Sequence, residues 1–150
     1  MLLMKLIATC FGIGYIQKGA GTIAALFCCL AWYVFNLYDV STYWQLLQIV
    51  VLFLLGTVSA TRVEAEWGHD SNRVVIDEWM GMAVALFIIP FSVVNMICAF
   101  VLFRFFDIVK PLFIRRAEAL PRGWGVMSDD LLAGIYSNLI LQLLIKSHLF

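Results

Sequence analysis

The chain has 150 residues, 63% of them hydrophobic and only 13% charged, with ten basic and ten acidic side chains and no net charge. Soluble domains are about 45–50% apolar and about 25% charged, so this composition, with a mean hydropathy of +0.95, argues against a water-soluble domain and for an integral membrane protein. Zero net charge leaves no basic footprint for nucleic acid, and the absence of linkers, repeats or low-complexity tracts gives a single domain over 1–150.

In chain order, the opening "MLLMKLIATCFGIGYIQKGAG" has one early lysine and a short apolar stretch but no small-x-small cleavage site, and reads as mature protein. The loop "QKGAGT" (17–22) follows, with two glycines and Lys18 ahead of the first apolar helix, expected over 22–37. It has two readings: a turn whose free N–H groups hold a phosphate, or a plain glycine turn with Thr22 as N-cap. A second helix is expected over 43–61, continuing as far as Gly68.

The third apolar run carries Pro90 in its middle, which removes a backbone donor and clashes with the preceding turn. It therefore splits into helices over 78–89 and 92–110, the latter stopping before Pro111. A 12-residue piece spans only about 18 Å of a roughly 30 Å hydrocarbon core, so 78–89 is tilted, buried in protein, or half of a re-entrant hairpin. The last helix is expected over 130–145 with Ser128 as N-cap. The fold class is thus all-α, a membrane-embedded bundle of about four to five apolar helices.

Basic residues set the orientation. Lys5, Lys18, Arg62, Arg73, Arg104, Lys110, Arg115, Arg116 and Arg122 all fall in or beside loops at one end, while the turns "YDVS" (38–41) and "PFSV" (90–93) carry none. A cytoplasmic amino terminus puts every basic loop inside, with Lys146 the one exception. Every acid but Asp39 falls on that same side. Both signs of charge gathered between helices at one membrane face describe an interfacial polar site.

Two acidic pairs stand at helix starts, Asp77–Glu78 in "VVIDEWMGM" and Asp129–Asp130 in "SDDLLAGIYSN". Taken alone, Asp77 reads as an N-cap before it reads as a ligand, whereas Glu78, with little polar company, needs a cation. Gly81 and Ala85 follow Asp77 at i+4 and i+8, leaving that face open to close packing, and Gly134, Ser137 and Asn138 form a small polar stripe with Asp130. "FRFFDIVKP" sets Arg104, Asp107 and Lys110 three residues apart; intramembrane charges of this kind face a cavity or one another. Arg115, Arg116 and Arg122 suit anionic lipid headgroups. "CAFVLFR" has the C-x5-R spacing of cysteine phosphatases, but its apolar helical interior offers no phosphate cradle. The four cysteines form no CxxC pair and read as reduced packing residues. His69 and His148 are the only histidines, and His69 reads as a loop residue near Asp70. Hard oxygen ligands with Lys and Arg, and neither thiolate cluster nor histidine pair, suit Mg²⁺.

Four blocks in order, "GYIQKGAGT", "HDSNRVVIDEWMGM", "FRFFDIVKPLFIRR" and "GWGVMSDDLLAGIYSN", resemble the phosphatidylglycerophosphatase A family across nearly the whole chain. The resemblance implies an all-helical enzyme of the bacterial inner membrane, its site facing the cytoplasm, that uses Mg²⁺ to convert phosphatidylglycerophosphate to phosphatidylglycerol. It places Glu78 in an Asp-Glu motif, Asp129 and Asp130 in an Asp-Asp motif, Asp107 and Lys110 in an Asp-x-x-Lys-Pro motif, and Thr22 at the close of the glycine loop. Ala20 departs from it, standing where the family usually has proline. Together the two lines assign Glu78, Asp77, Asp129, Asp130 and Asp70 to the metal. They assign Lys18, Gly21, Thr22, Arg104 and Lys110 to the substrate, and Asp129, Asp130, Asp107 and Lys110 to the chemistry. Two other classes compete. A CDP-alcohol phosphotransferase requires the spaced D-G-x2-A-R…G-x3-D-x3-D signature, which is absent; a transporter or scaffold requires polar residues running to the far side, whereas here they crowd at one face.

Overall fold

The computed structural model describes residues 1–69 and 71–147. Within them the chain is all-helical: α1 (Leu2–Ala8), a 3₁₀ turn (Ile13–Tyr15), α2 (Ala20–Leu37), α3 (Thr42–Trp67), α4 (Ile76–Leu86), α5 (Val93–Val109), α6 (Ile114–Glu118) and α7 (Gly123–Lys146). α1 and α6 lie outside the expected set; both are short, and neither carries a long apolar run.

α4 and α7 run side by side at the centre. Close approach is written into two glycines: a Cβ at Gly134 would strike the carbonyl oxygen of Gly81, and one at Gly81 would meet Phe103 and the carbonyl of Asp130. Further along, the Asn138 amide donates to the carbonyls of Val84 (3.1 Å), Ala85 (3.1 Å) and Phe87 (2.7 Å). Those groups lie at the end of α4, beyond its regular ladder; Val84 also accepts the Phe87 N–H at 3.2 Å. Gln142 fixes Asn138 through its Oδ1 at 2.6 Å. The stripe at 134, 137 and 138 is therefore the surface on which α4 rests and ends.

The break at Pro90 is wider than expected. α4 stops at Leu86, Ile88 takes a left-handed φ of 61°, and α5 starts at Val93 with Ser92 accepting the Asn95 N–H at 3.0 Å. α5 ends at Val109 with Lys110 in a left-handed cap (φ 47°), just before Pro111.

Three expected caps are not made. Gly19, at φ 76°, caps α2 and leaves Thr22 inside the first turn. Val75 precedes α4, so Asp77 is its second residue and its side chain turns inward. α7 begins at Gly123, seven residues before Asp130, which puts Ser128, Asp129 and Asp130 in the second turn. Glycines at 123 and 125 read locally as breakers, but tertiary contact overrides that. A Cβ at Gly123 would collide with the Thr57 carbonyl, Gly125 lies against the carbonyls of Glu118 and Leu120, and the Gly123 N–H donates to Thr61 Oγ1 at 3.1 Å.

Among the described residues two helices, α2 and α3, are long and apolar enough to cross a membrane, against the four to five expected. α4, with 11 residues, reaches about 16 Å; α5 has 17 residues; and the polar stripe of α7 lowers its hydropathy. Only 33% of the apolar windows of α2 and α3 is buried, so most of their apolar side chains face outward. The ends differ sharply. Segments 39–42 and 88–91 share the walls of a cavity of about 360 Å³ at one end. The opposite end holds the Lys5–Glu66 (2.5 Å) and Lys110–Glu118 (2.9 Å) ion pairs.

Candidate active site

The start of α4 and the second turn of α7 bring Asp77, Glu78 and Asp130 together, each offering a carboxylate oxygen within 4.8 Å of the others. Asp77 and Asp130 are only 8% and 2% exposed. Asp77 Oδ1, Glu78 Oε2 and Asp130 Oδ2 are buried without a hydrogen-bond partner. Three carboxylates this close repel one another and are costly to bury unpaired. Oxygen donors of one sign converging in a buried corner are the chemistry of a hard divalent cation site.

The neighbouring cations are already engaged elsewhere. Arg104 pairs with Asp107 one turn along α5, and the charges of both act on Glu78. Lys110 reaches across to Asp129 at 2.7 Å and to Glu118 at 2.9 Å, tying together α5, α6 and α7. Asp129 also accepts the Asp130 N–H at 2.9 Å. Asp129 thus stands beside the three-carboxylate cluster with its side chain turned to Lys110, and the charges of Asp107 and Asp129 both act on Asp130.

A cleft of about 210 Å³ opens onto Glu78 and Arg104, bounded by Asn72 and by residues 16, 17 and 19–21. Gly21 makes this possible: a Cβ there would occupy the position of the Glu78 carboxyl group. The glycine loop expected to hold phosphate is therefore one wall of the cleft, with Glu78 and Arg104 opposite.

The expected site residues separate by position. Asp77, Glu78 and Asp130 form the cluster; Gly21 and Arg104 line the cleft; Asp107 holds Arg104. Lys18 is exposed on the loop and Thr22 half-buried in α2, and neither lines the cleft. Lys110, expected on phosphoryl oxygens, is instead bound to Asp129 and Glu118. Asp70 lies outside the described residues. His69 contacts Glu64 at 2.7 Å, and Cys98 sits with Arg104 inside α5, which removes the C-x5-R reading. Two participants carried no signal for a role of their own, Asn72 at the cleft and Glu118 on Lys110; Asn72 lies within the quoted block "HDSNRVVIDEWMGM", which pointed to the region only.

Comparison with known proteins gives a consistent result. The phosphatidylglycerophosphatase A family profile matches residues 6–145. A Bacteroides thetaiotaomicron protein provisionally named phosphatidylinositol-3-phosphatase is 41% identical over 142 residues, covering 91% of this chain and 89% of its own. Two proteins named phosphatidylglycerophosphatase A also match over 91% of this chain: one from Haemophilus influenzae at 38% identity over 85% of its length, and one from Escherichia coli at 33% over 80%. No solved structure matches. The chain belongs to the phosphatidylglycerophosphatase A family, and it is a phosphatase, an enzyme that hydrolyses a phosphate monoester.

Proposed function

We propose that this member of the phosphatidylglycerophosphatase A family removes the terminal phosphate of phosphatidylglycerophosphate, giving phosphatidylglycerol and phosphate, at the inner face of a bacterial membrane. The observation that carries the reading is the buried cluster of Asp77, Glu78 and Asp130, with an unpartnered oxygen on each, beside a cleft lined by Arg104 and a glycine loop.

Depth supports a lipid substrate. A Cβ at Gly56 of α3 would touch Met127 and Ile76, so the cluster lies level with the middle of α3. The charged end of α3 starts near Thr61, about 8 Å further along at 1.5 Å per residue. A lipid held with its chains along the outward apolar faces brings its phosphate to this level.

Mg²⁺ is the proposed cofactor, held by Asp77, Glu78 and Asp130; when bound, such a cation neutralises phosphate charge and lowers the pKa of a bound water. The chain's own groups do the rest. Arg104, steadied by Asp107, donates to phosphoryl oxygens, and the N–H groups of the 19–21 wall bind the same group from the other side. Water attacks phosphorus as the bond to the glycerol oxygen breaks, and the leaving oxygen takes up a proton. Asp129 and Asp130 are 3% and 2% exposed, which favours water over an aspartyl-phosphate route; protein quenched in acid during turnover should carry no phosphate.

A second reading follows from the 41% identical relative: a phosphatidylinositol 3-phosphate substrate. The test is phosphate release by purified protein from both lipids, with Mg²⁺ and after chelation. Release confined to phosphatidylglycerophosphate and lost on chelation is expected. Preference for the inositol lipid would replace the substrate assignment, and full activity after chelation would remove the metal.

A further inference from the structure

We propose that the groove between the inner part of α3 and the start of α7 binds the diester phosphate of an anionic phospholipid, at a site separate from the cleft at Glu78. The groove has a volume of about 870 Å³ and is walled by Thr57, Val58, Thr61 and Arg62 of α3 against Arg122 and Trp124. It shares no residue with the Glu78 cleft.

Charge gives the occupant its sign. Elsewhere in the protein Lys5, Arg104 and Lys110 close onto carboxylates, and Arg73 lies over the ring of Trp67. Arg62 and Arg122 are exposed and, among the described residues, form no ion pair or ring contact. The groove's one acid, Glu64, is held by His69 at 2.7 Å. Two open guanidiniums facing one occupied carboxylate make an anion site, and guanidinium matches phosphate oxygens geometrically.

The backbone at Arg122 is strained. Its φ of 59° with ψ of −149° is a conformation that L side chains rarely adopt. The side chain held there is a cation lining the groove.

The apolar surroundings make the anion a lipid. Val58, Leu55, Val51 and Leu47 precede Arg62 by 4, 7, 11 and 15 residues, which places them on one face of α3. Each is 41–49% exposed. This stripe runs from the guanidinium along the outward surface, where acyl chains would lie. Trp124, 51% exposed and braced edge-on by Phe53 at 5.8 Å, stands at the junction of groove and stripe, the preferred level for tryptophan at a membrane interface.

The inference rests on the proposed membrane placement and not on the reaction at Glu78, and its test uses no activity. The protein is reconstituted in phosphatidylcholine vesicles containing brominated lipid, with bromine on the chains of either phosphatidylglycerol or phosphatidylcholine. Trp124 emission is read as the difference between the native chain and Trp124→Phe. Brominated phosphatidylglycerol should quench it more strongly, and the preference should fall roughly fivefold for each of Arg62→Gln and Arg122→Gln. Glu78→Gln should keep the preference, which separates this groove from the phosphatase site. Arg122→Gly should raise the thermal midpoint by relieving the backbone yet lose the preference, so it decides the matter even where a glutamine variant folds poorly. Equal quenching by the two lipids, or an undiminished preference in Arg122→Gly, overturns the proposal.

Discussion

At the scale of single residues, Glu78 is the pivot between cluster and cleft. Asp77 and Asp130 are buried behind it, while Glu78 meets both the cluster and the Arg104 side. Glu78→Gln and Asp130→Asn keep shape and remove charge, so phosphate release should fall by about 10²–10³-fold, the loss typical of deleting one electrostatic contact to a transition state. Thermal midpoints should hold or rise, because a repelling carboxylate has been removed from a crowded site. Wild-type turnover in both variants would dismiss the cluster as the reaction centre. Gly21→Ala tests the same point from the opposite wall: the atoms nearest its methyl are those of the flexible Glu78 side chain. It should depress turnover while leaving helical content, read by circular dichroism, unchanged.

At the scale of elements, α4 is short because α7 receives its end. The carbonyls of Ala85 and Phe87 have no onward helix to bond and are collected by the one amide of Asn138, which also reaches the Val84 carbonyl beside its Phe87 N–H. Asn138→Leu conserves bulk but orphans the Ala85 and Phe87 carbonyls, at about 1–3 kcal/mol for each group left unsatisfied, whereas Val84 keeps the Phe87 N–H at 3.2 Å. A lower thermal midpoint in detergent is expected, together with a partial loss of activity as the start of α4 loosens. Periodicity and the rules for proline located α2, α3 and α5 to within a few residues, since apolar runs and Pro90 and Pro111 are local signals. The same reasoning missed the first seven residues of α7. The glycines there fit a helix only because α3 and α6 lie directly against them, and a propensity cannot register a neighbour that is distant in sequence.

At the scale of the whole molecule, charge and apolar surface divide the protein into a charged end, an outward apolar belt and a far end lined by 39–42 and 88–91. On the proposed orientation, with the site facing the cytoplasm, a cysteine replacing Asp39 should react with an impermeant maleimide added to intact cells, and one replacing Arg115 should react only after lysis. The native cysteines give little background, as Cys10, Cys28 and Cys29 are buried and Cys98 half-buried. The reverse labelling pattern would turn the site outward and rule out a substrate supplied from the cytoplasm.

The sequence by itself determined the all-helical class, the apolar runs, the lopsided charge and the family, because composition, periodicity and motif order are properties of the chain read in line. It also singled out every member of the cluster, since acids are rare enough in so apolar a chain that each is conspicuous. Which acids face which partners was decided only in three dimensions. Asp129 and Asp130 are adjacent in sequence, yet about 100° of helical turn sends one to Lys110 and the other to Asp77 and Glu78. Lys110 was legible as a cation, but its capture by Asp129 and Glu118 depends on α6, a five-residue helix with no signature of its own. The acid pair in "VVIDEWMGM" is likewise two residues with one setting: neither caps α4, and both are turned inward by the packing of α4 on α7, where side chains far apart in sequence supply the third carboxylate and the walls of the cleft.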